Sequence, residues 1–204
     1  MARDLRMVAA RIMSENEFRA CLRRIAESNR ARFGAARFNG EERVAENGQL
    51  MRSAKLTSDE ARYVVQTAGK VLPIARRNDR HACRTNRYRG PQSFQQKRCY
   101  ENSAMLIAEG KDQRLAYCEG YLRDSTVGVV EHSWVTIGDK VVDLTLRASD
   151  QEIGRRNGTT REYFGVVIPR DILRQMQNET RCYGPYLNEP SLWRRIGELS
   201  KGRA

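Results

Sequence analysis

Gly138 and Asp139 lie between two short segments rich in apolar and β-branched residues, EHSWVTI at 131–137 and KVVDLTL at 140–146. A two-residue turn of this kind joins antiparallel strands, because glycine and aspartate tolerate the backbone conformations that a tight hairpin needs. A third segment of similar character, LAYCEGYL at 115–122, precedes them. The pattern predicts a small antiparallel sheet in the second half of the chain.

A helix is predicted immediately before this sheet. Apolar residues recur at helical spacing in the run CYENSAMLIAEG, which begins at Cys99 and ends at Gly110. Cys99 is therefore expected at a helix N-terminus, where unpaired backbone N–H groups and the helix dipole stabilise a thiolate and can hold an oxyanion. Lys97 and Arg98 add positive charge at the same end. These features make Cys99 a candidate nucleophile.

The predicted hairpin brings His132 and Asp143 close together, at one end of the strand pair. A cysteine nucleophile needs an imidazole to exchange its proton, and the imidazole needs a carboxylate or amide to fix its orientation. The chain has two histidines, and this one has an aspartate on the neighbouring predicted strand. The alternative is that Cys99 is a small buried hydrophobic residue without a chemical role.

Four motifs follow one another here: a cysteine at a helix start, a Gly-Tyr pair, a histidine with a tryptophan two residues on, and an Asp-x-Thr. They are Cys99, Gly120-Tyr121, His132-Ser133-Trp134-Val135 and Asp143-Leu144-Thr145. Their order and spacing resemble the core of the transglutaminase-like superfamily, within the wider papain-like group, over about residues 90–170. Members of that superfamily typically have His-Ala-Trp-Val and Asp-Pro-Thr, so Ser133 and Leu144 are departures from the pattern.

The resemblance implies a role for each of the three residues: Cys99 as nucleophile, His132 as general base and Asp143 as the group that orients the imidazole. It implies an α+β fold in which the helix bearing the cysteine packs on a small antiparallel sheet. We expect no cofactor and no metal. The predicted reaction is acyl transfer or hydrolysis at an amide-type bond of a protein or peptide.

Further residues are candidates for the oxyanion hole or the substrate cleft. The Cys99 backbone N–H is expected to act with an amide from a cluster that contains Gln92, Gln95 and Gln96. Three residues on the predicted strands are candidates to line the cleft: Glu119, Tyr121 and Trp134. The alternatives are a solvent-facing strand edge for Glu119 and a core position for both rings, with Trp134 shielding the imidazole.

The net charge of +12 lies entirely in residues 1–98, while residues 99–204 are neutral overall. Six arginines and one aromatic residue are concentrated in the stretch 76–89, a composition that suits a phosphate backbone or a single strand. The arginines are Arg76, Arg77, Arg80, Arg84, Arg87 and Arg89. The basic half is thus a candidate surface for nucleic acid or an acidic protein, with a solvated surface loop as the alternative.

The first half of the chain is predicted to be mainly helical. Ser14 and Glu17 have the spacing of a capping box at a helix start, and Ser58 begins a second helical pattern that is expected to stop near Gly69. The Gly-, Asn- and Glu-rich stretch 34–50 has the composition of a linker. We therefore predict a basic helical extension with a linker over 1–50 and an α+β domain over 51–204.

Composition excludes several classes of protein. Five scattered cysteines without a C-x-x-C pair argue against a disulfide framework or a zinc site and favour a reducing, cytoplasmic location. No apolar run is long enough to cross a membrane, and no membrane partner is expected. Two hypotheses follow: a Cys-His-Asp enzyme, or a basic nucleic-acid-binding or interaction protein with a non-catalytic fold of the same type.

Overall fold

The computed structural model describes residues 12–33, 40–51, 56–77, 99–124, 128–143, 145–146 and 161–201, with the backbone alone for 68–77 and 200–201. Within these ranges it has six helices and five strands. In chain order they are α1 (Glu15–Phe33), α2 (Gly40–Asn47), β1 (Gln49–Met51), α3 (Ser58–Arg77), α4 (Cys99–Glu109), β2 (Leu115–Asp124), β3 (Gly128–Ile137), β4 (Lys140–Val142), β5 (Arg161–Ile168), α5 (Arg170–Thr180) and α6 (Pro190–Lys201).

The predicted α+β class is confirmed. The five strands form one antiparallel sheet in the order β1-β5-β2-β3-β4. β3 and β4 form the predicted hairpin, and Gly138 in its turn has a φ of 61°, a left-handed conformation that favours glycine. β4 ends at Val142, earlier than the sequence pattern indicated.

The two faces of the sheet bury different groups of residues, because successive side chains along a strand point to opposite faces. Tyr117, Tyr121 and Val135 belong to the main hydrophobic core, and α4 packs against the strands that carry them. Cys118 and Trp134 belong to a second, smaller core. No helix in the described ranges has the length and apolar character needed to cross a membrane.

Helix α1 begins as predicted at the Ser14–Glu17 capping box. The Ser14 N–H donates to Glu17 Oε2 at 2.7 Å, and the Glu17 N–H donates to Ser14 Oγ at 3.3 Å. Phe18 is completely buried and stacks on Phe164 of β5 with ring centroids 5.1 Å apart. Helix α1 therefore packs on the sheet and contributes to the main core.

Two sequence-based predictions for this half are wrong. The described part of the expected linker, from residue 40 onward, is helix α2 and strand β1, because Val44 and Ala45 bury their side chains in the main core. Helix α3 continues through Gly69 to Arg77. A glycine inside a helix costs about 1 kcal/mol, which the rest of a 20-residue helix can offset.

Two arginines bind the carbonyl groups that the ends of helices leave unpaired. Arg19 of α1 donates to the carbonyls of Glu46 at 3.1 Å and Gly48 at 2.6 Å, at the end of α2. Arg170, the first residue of α5, does the same at the end of α4. It donates to the carbonyls of Ile107 (3.3 Å), Gly110 (3.0 Å), Asp112 (2.8 Å) and Leu115 (3.5 Å). Part of the arginine content thus stabilises helix ends.

We expect Arg170→Ala to lower the free energy of unfolding by about 2 to 3 kcal/mol, because it leaves several carbonyls near the end of α4 without their donor. Arg170→Lys should have an intermediate effect, since an ammonium cannot reach as many acceptors as a guanidinium. Denaturant unfolding measures both. Arg174→Ala, at an exposed position of the same helix, is the control. An equal loss in Arg170→Ala and Arg174→Ala would contradict the proposed capping.

Candidate active site

Cys99 is the first residue of α4, as predicted, and its side chain is completely buried. The first turn and a half of this helix is attached to β3 and to the segment after β4 by side-chain hydrogen bonds. They join Tyr100 to Glu131 (3.1 Å), Asn102 to Thr145 (3.2 Å) and Ser133 to Ser103 (3.4 Å). These contacts fix the start of the helix relative to the elements that carry His132 and Asp143.

His132 lies on β3 directly opposite Gly120 of β2, and Gly120 lies opposite Gly165 of β5. Both glycines are at close approaches: a Cβ at Gly120 would be 2.2 Å from the Phe164 carbonyl oxygen, and one at Gly165 would be 2.7 Å from the Trp134 ring. The Trp134 ring therefore lies over Gly165. It also stacks beside the His132 ring, with centroids 6.4 Å apart.

Asp143 follows β4 and binds the histidine. His132 Nε2 is 2.7 Å from Asp143 Oδ2, and both side chains are 7% exposed. The other carboxylate oxygen, Oδ1, accepts the backbone N–H of Leu146 at 3.0 Å. The hairpin thus brings His132 and Asp143 together as the sequence predicted.

The electrostatics of this pair favour its charged form. Burial alone lowers the pKa of His132, but the charge and hydrogen bond of Asp143, with a hydrogen bond to Cys99, raise it above its ordinary value. Burial alone raises the pKa of Asp143, but the charge and hydrogen bond of His132 bring it below its ordinary value. Asp143 is therefore ionised, and His132 Nε2 donates to it.

The thiol, the imidazole and the carboxylate thus form one chain of hydrogen bonds. Since Nε2 of His132 is engaged by Asp143, Nδ1 is the ring nitrogen left for the Cys99 thiol. The first N–H groups of α4 have no acceptor within the helix, and they begin at the same cysteine. This arrangement can hold a proton on the imidazole, a negative charge on sulfur and an oxyanion beside it.

The two aromatic candidates lie in the core, as the alternative interpretation predicted. Trp134 is fully buried, and its indole N–H donates to Met51 Sδ at 3.3 Å. Its stacking beside His132 is consistent with the shielding role. Tyr121 is buried in the main core.

Glu119 is fully buried, so the alternative of a solvent-facing strand edge is wrong. The Tyr117 hydroxyl donates to its Oε1 at 2.6 Å and the Tyr186 N–H donates to its Oε2 at 2.7 Å. Burial raises the pKa of Glu119 to about 8, against the lowering effect of these two donors. A tyrosine and a loop far along the chain enclose this carboxyl, and sequence reasoning had no signal for either contact.

The remaining candidates are outside the described residues or only partly inside them. Gln92, Gln95 and Gln96 lie outside, and so do Arg80, Arg84, Arg87 and Arg89. Arg76 and Arg77 form the end of α3, where the backbone alone is described. The oxyanion and nucleic-acid assignments of these residues stay predictions.

The described cysteines are Cys21, Cys99, Cys118 and Cys182, and none of the four is in a disulfide bond. Cys118 is as deeply buried as Cys99, and burial raises its pKa to about 12. Among the residues that the structure describes, no group of three or more His, Cys, Asp or Glu side chains is placed to hold a metal ion.

One contact of the site was missed by sequence reasoning. The hydroxyl of Tyr163, on β5, donates to Asp143 Oδ2 at 3.1 Å. The run Tyr163-Phe164-Gly165-Val166 has the composition of a strand, but the pairing that directs the Tyr163 hydroxyl toward Asp143 has no local signature.

No protein-family model matches this sequence, and neither a curated protein nor a solved structure matches it. A function for the chain therefore has to be argued from the geometry of its own residues.

We expect the free energy of unfolding to fall as the pH rises from about 4.5 to about 8, because native Glu119 keeps its proton where the unfolded chain has lost it. Glu119→Gln should remove this contribution, at most about 1.4 kcal/mol per pH unit. Glutamine resembles the protonated acid: its NH2 can donate to Tyr117, whose hydroxyl is also 3.2 Å from the Tyr183 carbonyl. Unfolding titrations at several pH values measure the difference.

Glu27→Gln, at an exposed position, is the control for this experiment. A stability difference between wild type and Glu119→Gln that does not grow with pH would contradict the assignment of a protonated Glu119.

Proposed function

We propose that this protein is a thiol-dependent hydrolase or acyltransferase that acts on an amide-type bond. The observation that supports the proposal is the buried chain of hydrogen bonds from Cys99 through His132 to Asp143. Three separate elements, α4, β3 and the segment after β4, supply one group each. A structural role alone does not require a thiol at a helix N-terminus to meet an imidazole that is itself held by a carboxylate.

We also propose that the core is of the papain-like, transglutaminase-like type. A helix that begins with the cysteine and packs on an antiparallel sheet supports this assignment, as does the chain order of cysteine, histidine and aspartate. Gly120, opposite His132, occupies the Gly-Tyr position of the motif set, and the close approach of β5 explains why a side chain is not accommodated there.

In the proposed reaction the Cys99 sulfur attacks the carbonyl carbon of the amide, and the thiol proton is held by His132. The C–N bond then breaks while the imidazolium gives its proton to the leaving nitrogen, which departs as an amine. The product on the enzyme is a thioester. The oxygen of the tetrahedral intermediate is stabilised by backbone N–H groups at the start of α4.

The second half of the reaction returns the thiol. His132 removes a proton from water or from an incoming amine, which attacks the thioester carbonyl, and the C–S bond breaks with the proton returning to sulfur. Water gives hydrolysis and an amine gives acyl transfer. A protein or peptide is the proposed substrate class, since it supplies the amide bond. Binding of nucleic acid or an acidic protein by the basic half stays a separate prediction.

We expect p-nitrophenyl acetate, an activated acyl donor, to acetylate the protein at Cys99, because that thiol alone among the described cysteines is paired with an imidazole. His132→Ala should slow the acetylation by about a hundredfold through loss of proton transfer. Asp143→Asn should slow it less, since an amide oxygen can still accept from the ring. Intact-protein and peptide mass spectrometry follow the reaction.

Cys118 is the internal control, because it is equally buried and its raised pKa keeps it protonated at neutral pH. Cys99→Ala should abolish the rapid phase and Cys118→Ala should leave it unchanged. Acetylation spread evenly over the cysteines, or a Cys99 rate that is the same with and without His132, would overturn the proposed function.

A further inference from the structure

We propose that Tyr163 is a positioning residue of the active site, whose hydroxyl holds the Asp143 carboxylate in the orientation that directs His132 toward Cys99. The inference rests on the proposed function and adds a fourth residue to it. It is supported by the hydrogen bond from the Tyr163 hydroxyl to Asp143 Oδ2, the same oxygen that lies 2.7 Å from His132 Nε2.

The position of Tyr163 is fixed by packing. Its side chain is 3% exposed, and its ring meets the Trp134 ring edge-on with centroids 5.2 Å apart. On β5 it lies between Met51 of β1 and Leu122 of β2, and all three belong to the second hydrophobic core. Because the Tyr163 ring is packed on several sides, its hydroxyl is held at one position.

Asp143 needs such a partner, because it follows a strand of only three residues and lies at the end of the sheet. A carboxylate can rotate about its side-chain torsions, and every rotation moves the oxygen that orients the imidazole. The Leu146 N–H binds Oδ1 from the local turn, whereas Tyr163 binds Oδ2 from a strand two positions away from β3 in the sheet. Together the two donors fix both oxygens.

The Tyr163 hydroxyl also stabilises the negative charge of the buried Asp143 carboxylate. A hydrogen bond to a charged acceptor in a low dielectric is stronger than one between neutral groups. Removal of the Tyr163 hydroxyl leaves the ring packing intact but takes away one of the partners of this charge. We therefore expect the effect on the reaction to pass through Asp143, because its carboxylate accepts the Tyr163 hydroxyl.

The test is a double-mutant cycle between Tyr163→Phe and Asp143→Ala, with the acetylation rate of Cys99 by p-nitrophenyl acetate as the readout. Tyr163→Phe should slow acetylation by about tenfold in the wild-type background. In the Asp143→Ala background it should change the rate by less than about twofold, because its target is gone. If Asp143→Ala does not fold, Asp143→Leu, which has a similar branched shape but no acceptor, takes its place in the cycle.

Tyr117→Phe is the matched control, since Tyr117 is also buried on a strand and its hydroxyl also forms a hydrogen bond with a carboxyl group, that of Glu119. It should leave the Cys99 rate unchanged. A spectroscopic readout separates positioning from general loosening: the NMR signal of the His132 Nε2 proton should shift in Tyr163→Phe and not in Tyr117→Phe.

The inference is overturned if Tyr163→Phe acetylates as fast as wild type, if its loss is the same with and without Asp143, or if Tyr117→Phe loses as much. These failures are distinct from failure of the proposed function, in which wild-type Cys99 is no more reactive than Cys118. In that case both the proposed function and the positioning role of Tyr163 are overturned.

Discussion

The charged pair of His132 and Asp143 is the constraint around which the second half of this structure is organised. Removal of two charges from water costs several kcal/mol for each ion, and the cost is recovered only when geometry and additional hydrogen bonds are good. Here the ring and carboxylate are 2.7 Å apart, and the Leu146 N–H and the Tyr163 hydroxyl satisfy the remaining carboxylate positions. A carboxylate so fully paired fixes the imidazole, which then has one nitrogen left for Cys99.

The fold supplies this geometry from elements that are far apart in sequence. Helix α4 is attached to β3 near its start, and Arg170 binds the carbonyls at its other end, so the helix that carries Cys99 is held at both ends. Facing glycines at 120 and 165 let β2 and β5 approach closely beside the site. Part of the large excess of arginine thus stabilises the fold, since Arg19 and Arg170 each donate hydrogen bonds to carbonyls at a helix end.

The features that were predictable from sequence are those encoded locally. The Gly138-Asp139 turn specifies the hairpin, and the hairpin register places His132 beside Asp143; the helix start at Cys99 follows from apolar spacing. Strand β1 was missed because three residues carry no periodicity, and it exists through its pairing with β5. The contacts of Glu119 with Tyr186 and of Tyr163 with Asp143 could not be predicted from sequence, because only the tertiary fold brings these partners together.

The proposed chemistry depends on a hydrogen bond between the Cys99 thiol and the His132 imidazole. The most direct measurement is the NMR titration of His132, which is simple to assign because the chain has two histidines. Since a hydrogen bond to Cys99 helps to raise the pKa of His132, Cys99→Ala should lower that pKa, whereas Cys118→Ala, which removes an equally buried thiol from the same domain, should not. A His132 titration that is identical in wild type and Cys99→Ala would contradict the account.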